Sequence, residues 1–572
     1  MSDHLILCGS ARLHSNKKCW TSRKPVKLNA DPGQGNVHLQ IADITDAMVA
    51  SLPPVVADLI ELATYVYCAD QATTRGGNAE FDYGKKWRRH FRFEMPVRCP
   101  DVWKAPAVND ALILLLSYLS DDDYEFGFSQ AKQASSLSEY LEFDQNTPSV
   151  ADVQEVVLFS GGIDSLGGAV EEILVANKKV ALVSHRPVSK IDNRQRNLVD
   201  LIQDRLPDKS VSPFHVPVWV NKDKKLGKAY TQRTRSFLYA SLASAVASLF
   251  NLDRIRFYEN GVVSLNLPIC AAVLGGRATR TTHPRVIAGM GELFSLLFGR
   301  KFVVENPYIW KTKSEVFDGI KKAGHVDLCK YAVSCTHTWE MTKLHTHCGK
   351  CSQCVDRRLA ALAAGLSDEE DPEEMYELNV MTDARTDPES QTIIERMVGV
   401  ANDIEGMIDA TQFAQRFGEM SRALRHIEGR TDDVAQRIFQ LYQRHAQQVC
   451  GAIDATGTAL VPEMRRGSIP GTCLISIALG RSPKFQDLLN PEVDNVAEPK
   501  LDDLVTLAQV APFTGLSKRT LERYLTAGKL PPPDFRGGGG TSNKWYWGTI
   551  TPALANFSKR ILPPRFPASR II

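Results

Sequence analysis

A glycine-rich loop between a strand and a helix constrains this chain more than any other part of its sequence. The loop, Ser160-Gly161-Gly162-Ile163-Asp164-Ser165, directly follows the apolar, strand-like run 156–159 and precedes a helical pattern that begins near Leu166. A second apolar run, 180–183, follows that helix. This alternation predicts a βαβ unit with a parallel sheet, and therefore an α/β fold in this part of the chain.

The loop has the chemistry of a phosphate-binding turn. Its two glycines let the backbone turn with several N–H groups pointing inward, and Ser160 and Ser165 add hydroxyl donors. A helix N-terminus alone contributes only about 0.3 to 1 kcal/mol, so tight binding of a phosphate or pyrophosphate needs several N–H groups and Mg²⁺ together. The chain has no Gly-Lys-Ser/Thr motif, and no Gly-x-Gly-x-x-Gly opens this helix, which excludes a Walker loop and argues against a dinucleotide fold. The alternative is a purely structural turn in which Asp164 or Ser165 caps the helix.

Four cysteines have the spacing of a metal site, whereas the rest of the 12 cysteines are scattered. In a reducing compartment such a cluster favours metal over disulfides. Four thiolates complete a tetrahedral Zn²⁺ shell and leave no position for a metal-bound water, so we expect a structural zinc. His345 and His347 are rival ligands, and the hypotheses of an iron–sulfur cluster or of no bound metal stay open. The four thiols belong to Cys335, Cys348, Cys351 and Cys354.

These motifs together resemble a known enzyme family. Ser-Gly-Gly-x-Asp-Ser in a strand–loop–helix context is the signature of the pyrophosphatase-loop (PP-loop) enzymes, whose core is of the adenine nucleotide α-hydrolase type. With the four cysteines downstream and Arg357 just after the last of them, the chain resembles the 7-cyano-7-deazaguanine synthase family over residues 155–362. Further similar stretches are Asp192-Asn193-Arg194-Gln195-Arg196, Arg235 at the start of a predicted helix, and Pro307-Tyr308-Ile309-Trp310-Lys311-Thr312-Lys313.

The resemblance implies an ATP-dependent C–N ligase that uses ATP and Mg²⁺ and holds structural Zn²⁺. Members of the family cleave ATP between the α- and β-phosphates and adenylate 7-carboxy-7-deazaguanine. Ammonia then attacks, and a second ATP drives dehydration of the amide to a nitrile. The implied ATP-binding residues on this chain are Ser160, Gly161, Gly162, Ile163, Asp164 and Ser165.

The expected roles of single residues follow from their chemistry. Asp164 is expected to bind Mg²⁺ on the phosphates or to cap the helix, and Lys313 to neutralise charge at the α-phosphate. Glu259 follows a strand candidate, where open α/β sheets bind ligands, and is expected to recognise the purine edge of the base. Arginines suit bidentate contact with the substrate carboxylate, with a solvated face or a surface pair as the alternative. The candidates for this role are Arg235, Arg277 and Arg280.

The chain departs from the family where we expect the substrate to bind. Asn-Arg replaces the family's Tyr-Gly within 192–196, and the segments 258–261 and 276–284 stand where the family has Tyr-Pro-Asp-Cys-Arg. The substrate and the nitrogen acceptor therefore stay open. The alternatives to nitrile synthesis are amide conjugation of a deazaguanine to a protein amine, another PP-loop chemistry such as tRNA thiolation, and a catalytically silent nucleotide- and nucleic-acid-binding scaffold.

A length of 572 residues is too great for one compact core, so we expect several domains. Hydrophobic residues make up 43% and charged residues 23% of the chain, which excludes a small disulfide scaffold, a collagen and a mainly disordered protein. Mixed strand and helix patterns predict an N-terminal α+β domain, and the acidic segment 367–374 predicts a boundary before a helical domain. The expected domains are residues 1–150, 151–366, 367–500 and 501–572.

Basic and aromatic residues alternate over residues 85–93. The pattern suits contact with nucleic acid, but it is more typical of an edge strand with one solvated face. We expect an edge strand and assign it no chemistry.

The C-terminal segment has the spacing of a helix-turn-helix unit. Helical patterns at 504–514 and 518–525 flank the turn Gly515-Leu516-Ser517. With its proline and glycine runs, the segment resembles winged DNA-binding domains of the excisionase or MerR type. Its cations predict binding of DNA or RNA, with docking of a protein partner as the alternative. These cations are Lys518, Arg519, Arg523, Lys529, Arg536 and Lys544.

The overall charge does not indicate that the chain binds a polyanion. Lys and Arg total 68 against 66 Asp and Glu, a net charge of +2, so any polyanion site must be local.

The longest nearly apolar run, 237–250, is shorter than the roughly 20 residues that span a membrane, and the N-terminus lacks a secretion signal. We expect a cytoplasmic protein without membrane contact. The extra domains look like those of long relatives encoded in bacterial anti-phage defence operons, which implies a protein partner from the same operon.

Overall fold

The computed structural model describes residues 2–11, 25–30, 35–42, 52–74, 88–131, 141–142, 152–185, 189–227, 233–267, 280–337, 341–342, 344–479, 504–514, 516–534, 543–555 and 557. Its contacts divide the chain into two compact units, Met1–Ser482 and Pro483–Ile572. The domain boundaries expected near residues 150, 366 and 500 stay predictions.

Along the chain, the strands are β1 (Ser2–Cys8), β2 (Val26–Leu28), β3 (Val37–Ala42), β4 (Arg89–Val97), β5 (Asp123–Gln130), β6 (Leu141–Glu142), β7 (Glu155–Leu158), β8 (Val180–His185), β9 (Phe214–Lys222), β10 (Arg254–Arg256), β11 (Val303–Glu305), β12 (Leu504–Val505) and β13 (Trp545–Tyr546). The α-helices are α1 (Pro54–Ala72), α2 (Pro100–Lys104), α3 (Pro106–Ser120), α4 (Ile163–Ala169), α5 (Ser189–Asp204), α6 (Arg235–Leu249), α7 (Gly261–Leu265), α8 (Pro284–Phe298), α9 (Lys313–Lys322), α10 (Ser352–Ala363), α11 (Pro388–Glu405), α12 (Ala410–Arg416), α13 (Ser421–Leu424), α14 (Thr431–Ala459), α15 (Val461–Arg465), α16 (Leu474–Ala478), α17 (Leu507–Thr514), α18 (Lys518–Thr526) and α19 (Trp547–Ala555). Among these helices none combines the length and the apolar character needed to cross a bilayer.

The first sheet, within the larger unit, has the order β2-β1-β4-β5, and all its described strand pairs are parallel. The sequence predicted an α+β domain here. Instead, α1, α2 and α3 lie in the connections between parallel strands, which is the arrangement of an α/β fold. The expected edge strand is also wrong: β4 pairs on both sides, with β1 and β5. Its alternation is real, since every second residue from Arg89 to Val97 is buried.

The second sheet carries the glycine-rich loop. Among the described strands its order is β11-β10-β7-β8-β9-β3-β6, and the five strands from β11 to β9 are parallel. Strand β3 joins β9 in antiparallel orientation, so the N-terminal part of the chain contributes to this sheet as well. The predicted α/β class with a parallel sheet is confirmed.

Helices cover both faces of the second sheet. Val156 and Leu158 of β7 face a core that includes α6 and α8, while Val157 faces a second core that includes α5 and α9. Burial on both faces explains why β7 and β8 are continuous apolar runs rather than alternating ones.

The helical segment predicted after residue 367 is present as α11 to α16. Its apolar residues share one core with the four clustered cysteines and with α10. The expected helix over 410–426 is interrupted, because α12 ends at Arg416 and α13 begins at Ser421.

In the smaller unit, α17 and α18 lie on either side of Ser517, whose side chain accepts a hydrogen bond from the Thr520 N–H as the predicted N-cap. The expected helix over 504–514 is shorter, because Leu504 and Val505 pair with Tyr546 and Trp545 as a two-stranded antiparallel sheet. Arg536 and the glycine run 537–540 lie outside the described residues. A winged DNA-binding unit and its nucleic-acid contacts stay predictions.

A buried ion-pair network holds the acidic segment that was expected to be a boundary. Asp371 is fully buried, and its carboxylate accepts hydrogen bonds from Arg357 Nε (3.0 Å), Arg358 Nη1 (3.0 Å) and Tyr376 Oη (3.0 Å). Arg357 also donates to the Ala332 carbonyl (2.9 Å). One acid of this segment is therefore part of the core of the larger unit.

We predict that Asp371→Asn destabilises the larger unit by about 3 kcal/mol, because breaking a buried pair leaves the Arg357 guanidinium without a counter-charge, while Arg358 keeps only Glu373. Urea unfolding followed by circular dichroism measures the effect. The control is Glu369→Gln, which removes an exposed acid from the same segment and should change the free energy of unfolding by less than about 0.5 kcal/mol. Equal stability of the two variants would contradict the structural role of Asp371.

Candidate functional site

The glycine-rich loop leaves the carboxyl end of β7 and enters α4. Gly161 has a φ of +80°, a left-handed conformation that favours glycine, and a Cβ there would lie 3.1 Å from Cγ of Gln195. Gly162 is the N-cap residue of α4, and no side chain caps this helix. The alternative in which Asp164 or Ser165 caps the helix is therefore wrong.

Hydrogen bonds hold the loop in a fixed shape. Ser160 Oγ and Ser165 Oγ lie 3.1 Å apart, and the Gly162 N–H donates to Ser160 Oγ (3.3 Å). Gln195 Nε2 donates to the Ser160 carbonyl (3.0 Å), and the Val333 N–H donates to the Gly161 carbonyl (2.9 Å). Gln195 belongs to the segment 192–196 that resembles the family, so the fold brings this segment to the loop.

Asp164 lies one residue inside α4 and faces neighbouring loops. Its Oδ2 accepts a hydrogen bond from Asn260 Nδ2 (3.1 Å), while Oδ1 is buried and has no partner among the described residues. Burial raises the pKa of Asp164 to about 6; the nearby charge of Lys313 opposes this rise and that of Glu259 adds to it. This carboxylate is accordingly suited to bind a cation.

Lys313 is the first residue of α9 and is buried. Its Nζ lies 2.5 Å from Asp356 Oδ2 and 3.4 Å from Gln353 Oε1. Burial lowers the pKa of this ammonium group, but the carboxylates of Asp356 and Asp164 outweigh burial and keep the pKa above its ordinary value. Lys313 therefore carries a positive charge close to Asp164.

A capping box fixes the start of α9. Thr312 Oγ1 accepts from the Glu315 N–H (3.2 Å), and Glu315 Oε2 accepts from the Thr312 N–H (2.8 Å). The predicted Thr-Lys stretch therefore serves two purposes, because Thr312 begins the helix and Lys313 extends from its first turn.

Glu259 follows β10 at the same edge of the sheet. Its carboxylate accepts from Thr281 Oγ1 (3.2 Å) and Thr282 Oγ1 (2.6 Å). Asn306, just after β11, accepts from the Glu259 N–H (3.1 Å) and donates to the Glu259 carbonyl (2.8 Å). The next residue, Asn260, caps α7 as well as binding Asp164.

The three candidate arginines differ in their surroundings. Arg235 Nη2 donates to Tyr239 Oη (3.1 Å), and Tyr239 Oη donates to the carbonyl of His185 at the end of β8 (3.2 Å), which places Arg235 at the same edge of the sheet as the loop. Arg280 Nη1 instead donates to the Tyr118 carbonyl (2.7 Å). Arg277 lies outside the described residues.

Helix α14 of the helical segment contacts the elements that position Asp164 and Lys313. Arg444 donates from Nε to Glu315 Oε1 (2.7 Å) and from Nη2 to the Trp310 carbonyl (2.9 Å). Tyr442 Oη donates to the Val262 carbonyl (3.1 Å). The helical segment thus forms part of the surroundings of the candidate site.

The four predicted cysteines come together as a buried group whose sulfur atoms all lie within 4.8 Å of one another. The sulfurs of Cys348 and Cys354 are 3.9 Å apart, and those of Cys351 and Cys354 are 3.4 Å apart. Zinc–sulfur bonds of about 2.3 Å in a tetrahedron place sulfurs about 3.8 Å apart. The group, completed by Cys335, could hold a zinc ion.

The rival histidines are not part of this group. His347 uses both ring nitrogens elsewhere: Nε2 accepts from the Ser334 N–H (3.2 Å), and Nδ1 lies 2.8 Å from Thr346 Oγ1. Ser334 directly precedes Cys335, and the N–H of its other neighbour, Val333, donates to the Gly161 carbonyl. The segment 333–335 therefore connects the cysteine group to the glycine-rich loop.

The fold thus brings the loop, Asp164, Lys313 and Glu259 to one edge of the parallel sheet. Sequence reasoning missed Asn260, Asp356 and Asn306, and it gave Gln195 no role. Two of these had a local signal: Asn306 directly follows a strand, and Asp356 is two residues after the last clustered cysteine. No sequence pattern indicates a role for the other two, Asn260 and Gln195.

Neither the models of known protein families nor the curated proteins match this chain. The resemblance to the 7-cyano-7-deazaguanine synthase family therefore rests on the quoted motifs, and the functional assignment rests on the chemistry of the site.

We predict that the protein contains one zinc ion for each chain and that Cys351→Ala removes it. A structural zinc site contributes on the order of 10 kcal/mol to folding, so the variant should also lose thermal stability and solubility. The control is Cys99→Ala, which removes a thiol outside the cluster and should leave the zinc content unchanged. Elemental analysis that finds no zinc in the pure wild-type protein would contradict this assignment.

Proposed function

We propose that this protein is an ATP-dependent ligase that adenylates a carboxylate of the 7-carboxy-7-deazaguanine type and transfers the acyl group to nitrogen. The observation that carries the proposal is the convergence of the Ser160–Ser165 loop with the Asp164 carboxylate and the buried Lys313 ammonium at the carboxyl edge of a parallel sheet. Open α/β sheets bind ligands at this edge. The loop supplies neutral donors for phosphate oxygens, and the two charged groups suit a metal–triphosphate.

The reaction proceeds in two balanced steps. A carboxylate oxygen of the substrate attacks the α-phosphorus of ATP, the bond to the β-phosphate bridging oxygen breaks, and pyrophosphate leaves. An amine nitrogen then attacks the carbonyl carbon of the acyl adenylate, AMP leaves with the bridging oxygen, and the nitrogen loses a proton to give an amide. In nitrile synthesis the amide oxygen attacks the α-phosphorus of a second ATP and pyrophosphate leaves; AMP then departs with that oxygen, and the nitrogen loses both of its protons to give the nitrile.

The residues have distinct roles in the first step. The backbone N–H groups of the loop bind phosphate oxygens, and Lys313 stabilises the negative charge that grows on the α-phosphate. Asp164 would hold Mg²⁺, which would neutralise phosphate charge. The unpartnered Oδ1 of Asp164 fits this role, since a buried oxygen without a donor is unfavourable unless a ligand satisfies it.

On the substrate side, Glu259 is the acceptor for N–H groups of the deazaguanine ring. Thr281 and Thr282 already donate to this carboxylate and fix its orientation. Arg235 is the better placed of the two described arginine candidates for the substrate carboxylate, because its contact with Tyr239, which binds the His185 carbonyl, holds it at the edge of the sheet that carries the loop.

A second candidate function is amide conjugation of the deazaguanine to a primary amine of a partner protein. The contacts of Arg444 and Tyr442 favour it, because they make the helical segment part of the site's surroundings and a partner that binds this segment would lie near the acyl adenylate. Both functions share the adenylation step and differ only in the nitrogen nucleophile.

The function is tested by product analysis with the full chain, ATP, Mg²⁺, 7-carboxy-7-deazaguanine and ammonia. We expect AMP and pyrophosphate in equal amounts, together with the amide or nitrile, identified by mass spectrometry. Addition of an amine-bearing partner distinguishes conjugation, through a mass increase on that partner. Failure of the zinc-loaded protein to form AMP in the presence of this acid would contradict the proposal.

We predict that Lys313→Met lowers pyrophosphate release by at least about 100-fold, because one preorganised electrostatic contact is worth about 10²–10³ in rate. The matched control is Lys311→Met, two residues earlier, whose ammonium binds Glu171 at the surface (3.0 Å). The control should keep wild-type activity. Equal rates for the two variants would remove Lys313 from the reaction.

We also predict a dependence on pH. The ionised form of Asp164 binds Mg²⁺, and its pKa of about 6 means that this form is present above pH 6 and is lost as the pH falls. The value of kcat/KM for Mg²⁺–ATP should therefore fall about tenfold for each pH unit below the pKa of the free enzyme. A flat profile across this range would contradict the role of Asp164.

A further inference from the structure

A second cluster of charged residues lies where three parts of the larger unit meet. The guanidinium carbon of Arg280 lies 4.7 Å, and that of Arg285 4.3 Å, from the centre of the Tyr118 ring. Tyr118 belongs to α3, whereas Arg285 is in the first turn of α8. Arg422 belongs to α13, which packs against α8, and its positive charge acts on Tyr118. We call these four residues the arginine cluster.

His283 fixes the tyrosine hydroxyl at the centre of the cluster. This histidine is buried, and its Nδ1 accepts from the Arg285 N–H (3.2 Å). Nε2 therefore carries the ring proton and donates to Tyr118 Oη (3.1 Å). Burial, together with the nearby positive charges of Arg280 and Arg422, lowers the pKa of His283 to about 3, so the ring is neutral. The Tyr118 hydroxyl then keeps its own proton for another acceptor.

The cluster has more positive than negative charge. Asp121 lies 3.9 Å from Arg280, whereas Arg285 and Arg422 form no ion pair with any residue in the described part of the chain. Arg422 is exposed, and the exposed residues Arg425 and His426 extend the cluster along the surface. Guanidinium groups held close together repel one another, and a bound anion relieves this repulsion.

We propose that the arginine cluster binds a phosphate group. Three guanidinium groups and one hydroxyl offer more donors than a carboxylate can accept with its two oxygens, whereas a phosphate group offers three or more oxygens. The site lies next to the candidate active site, because Thr282, beside His283, donates to Glu259. The proposal does not depend on the ATP reaction.

The phosphate group has two sources, the backbone of a nucleic acid or a free phosphate compound, and the test separates them. Fluorescence anisotropy with a labelled single-stranded oligonucleotide measures affinity of the full chain over a range of salt concentrations. Calorimetric titration with inorganic pyrophosphate measures binding of the free compound. The variants are Arg422→Gln, which changes an exposed residue and spares the fold, and the double variant Arg285→Gln/Arg422→Gln. The control is Arg416→Gln, which removes an exposed arginine from the same helical segment.

If the source is a nucleic acid, the slope of log affinity against log salt should decrease by about 0.7 in Arg422→Gln and by about 1.4 in the double variant, with no change in the control. If the source is a free compound, the double variant should lose one pyrophosphate site while oligonucleotide binding stays unchanged. The proposal is overturned if both probes bind the double variant like the wild type. It is equally overturned if a glutamate-rich peptide binds the wild type but not the double variant, and pyrophosphate does not displace this peptide from the wild type.

Discussion

The buried ion pair of Lys313 and Asp356 links the parts of this protein that form the candidate site. Lys313 starts the helix that the Thr312–Glu315 capping box fixes, and Asp356 lies on the helix that follows the clustered cysteines. Arg444 of the helical segment binds Glu315 of the same capping box. A buried ammonium group is tolerated only with a counter-charge, so α9 and α10 must be held together. Because α10 follows the clustered cysteines and α9 also binds Arg444, this pair connects the sheet edge, the cysteine group and the helical segment.

Opposite charges also set the chemistry of the sheet edge. Asp164 and Glu259 lie close enough for the charge of Glu259 to raise the pKa of Asp164, and Lys313 opposes that effect. Without a ligand, these carboxylates repel one another. In the proposed reaction, a bound Mg²⁺ would supply the positive charge that relieves this repulsion, and the loop glycines let the backbone approach the phosphates. The same edge of the sheet therefore serves both the nucleotide and the substrate carboxylate.

Local patterns predicted the elements that carry the site, because strand, glycine turn and helix follow one another within 155–169 and the cysteines within 335–354. They did not predict that β3 joins the second sheet, because its antiparallel partner β9 is far away in the chain. The composition of the acidic segment 367–374 predicted a domain boundary, but it did not show that Arg357 and Arg358 pair with Asp371 in the core. Partners such as Asn260 and Gln195 are recognised only when the fold brings distant residues together.

In the proposed reaction the substrate carboxylate attacks the α-phosphorus of ATP, and one carboxylate oxygen moves to AMP. The most direct test gives the full chain 7-carboxy-7-deazaguanine with ¹⁸O in both carboxylate oxygens, together with unlabelled ATP, Mg²⁺ and ammonia. Mass spectrometry of the nucleotide product then follows the oxygen. Adenylation predicts AMP that carries one ¹⁸O atom, since the bridging oxygen leaves with the phosphate. Unlabelled AMP, or ADP as the nucleotide product, would contradict the account.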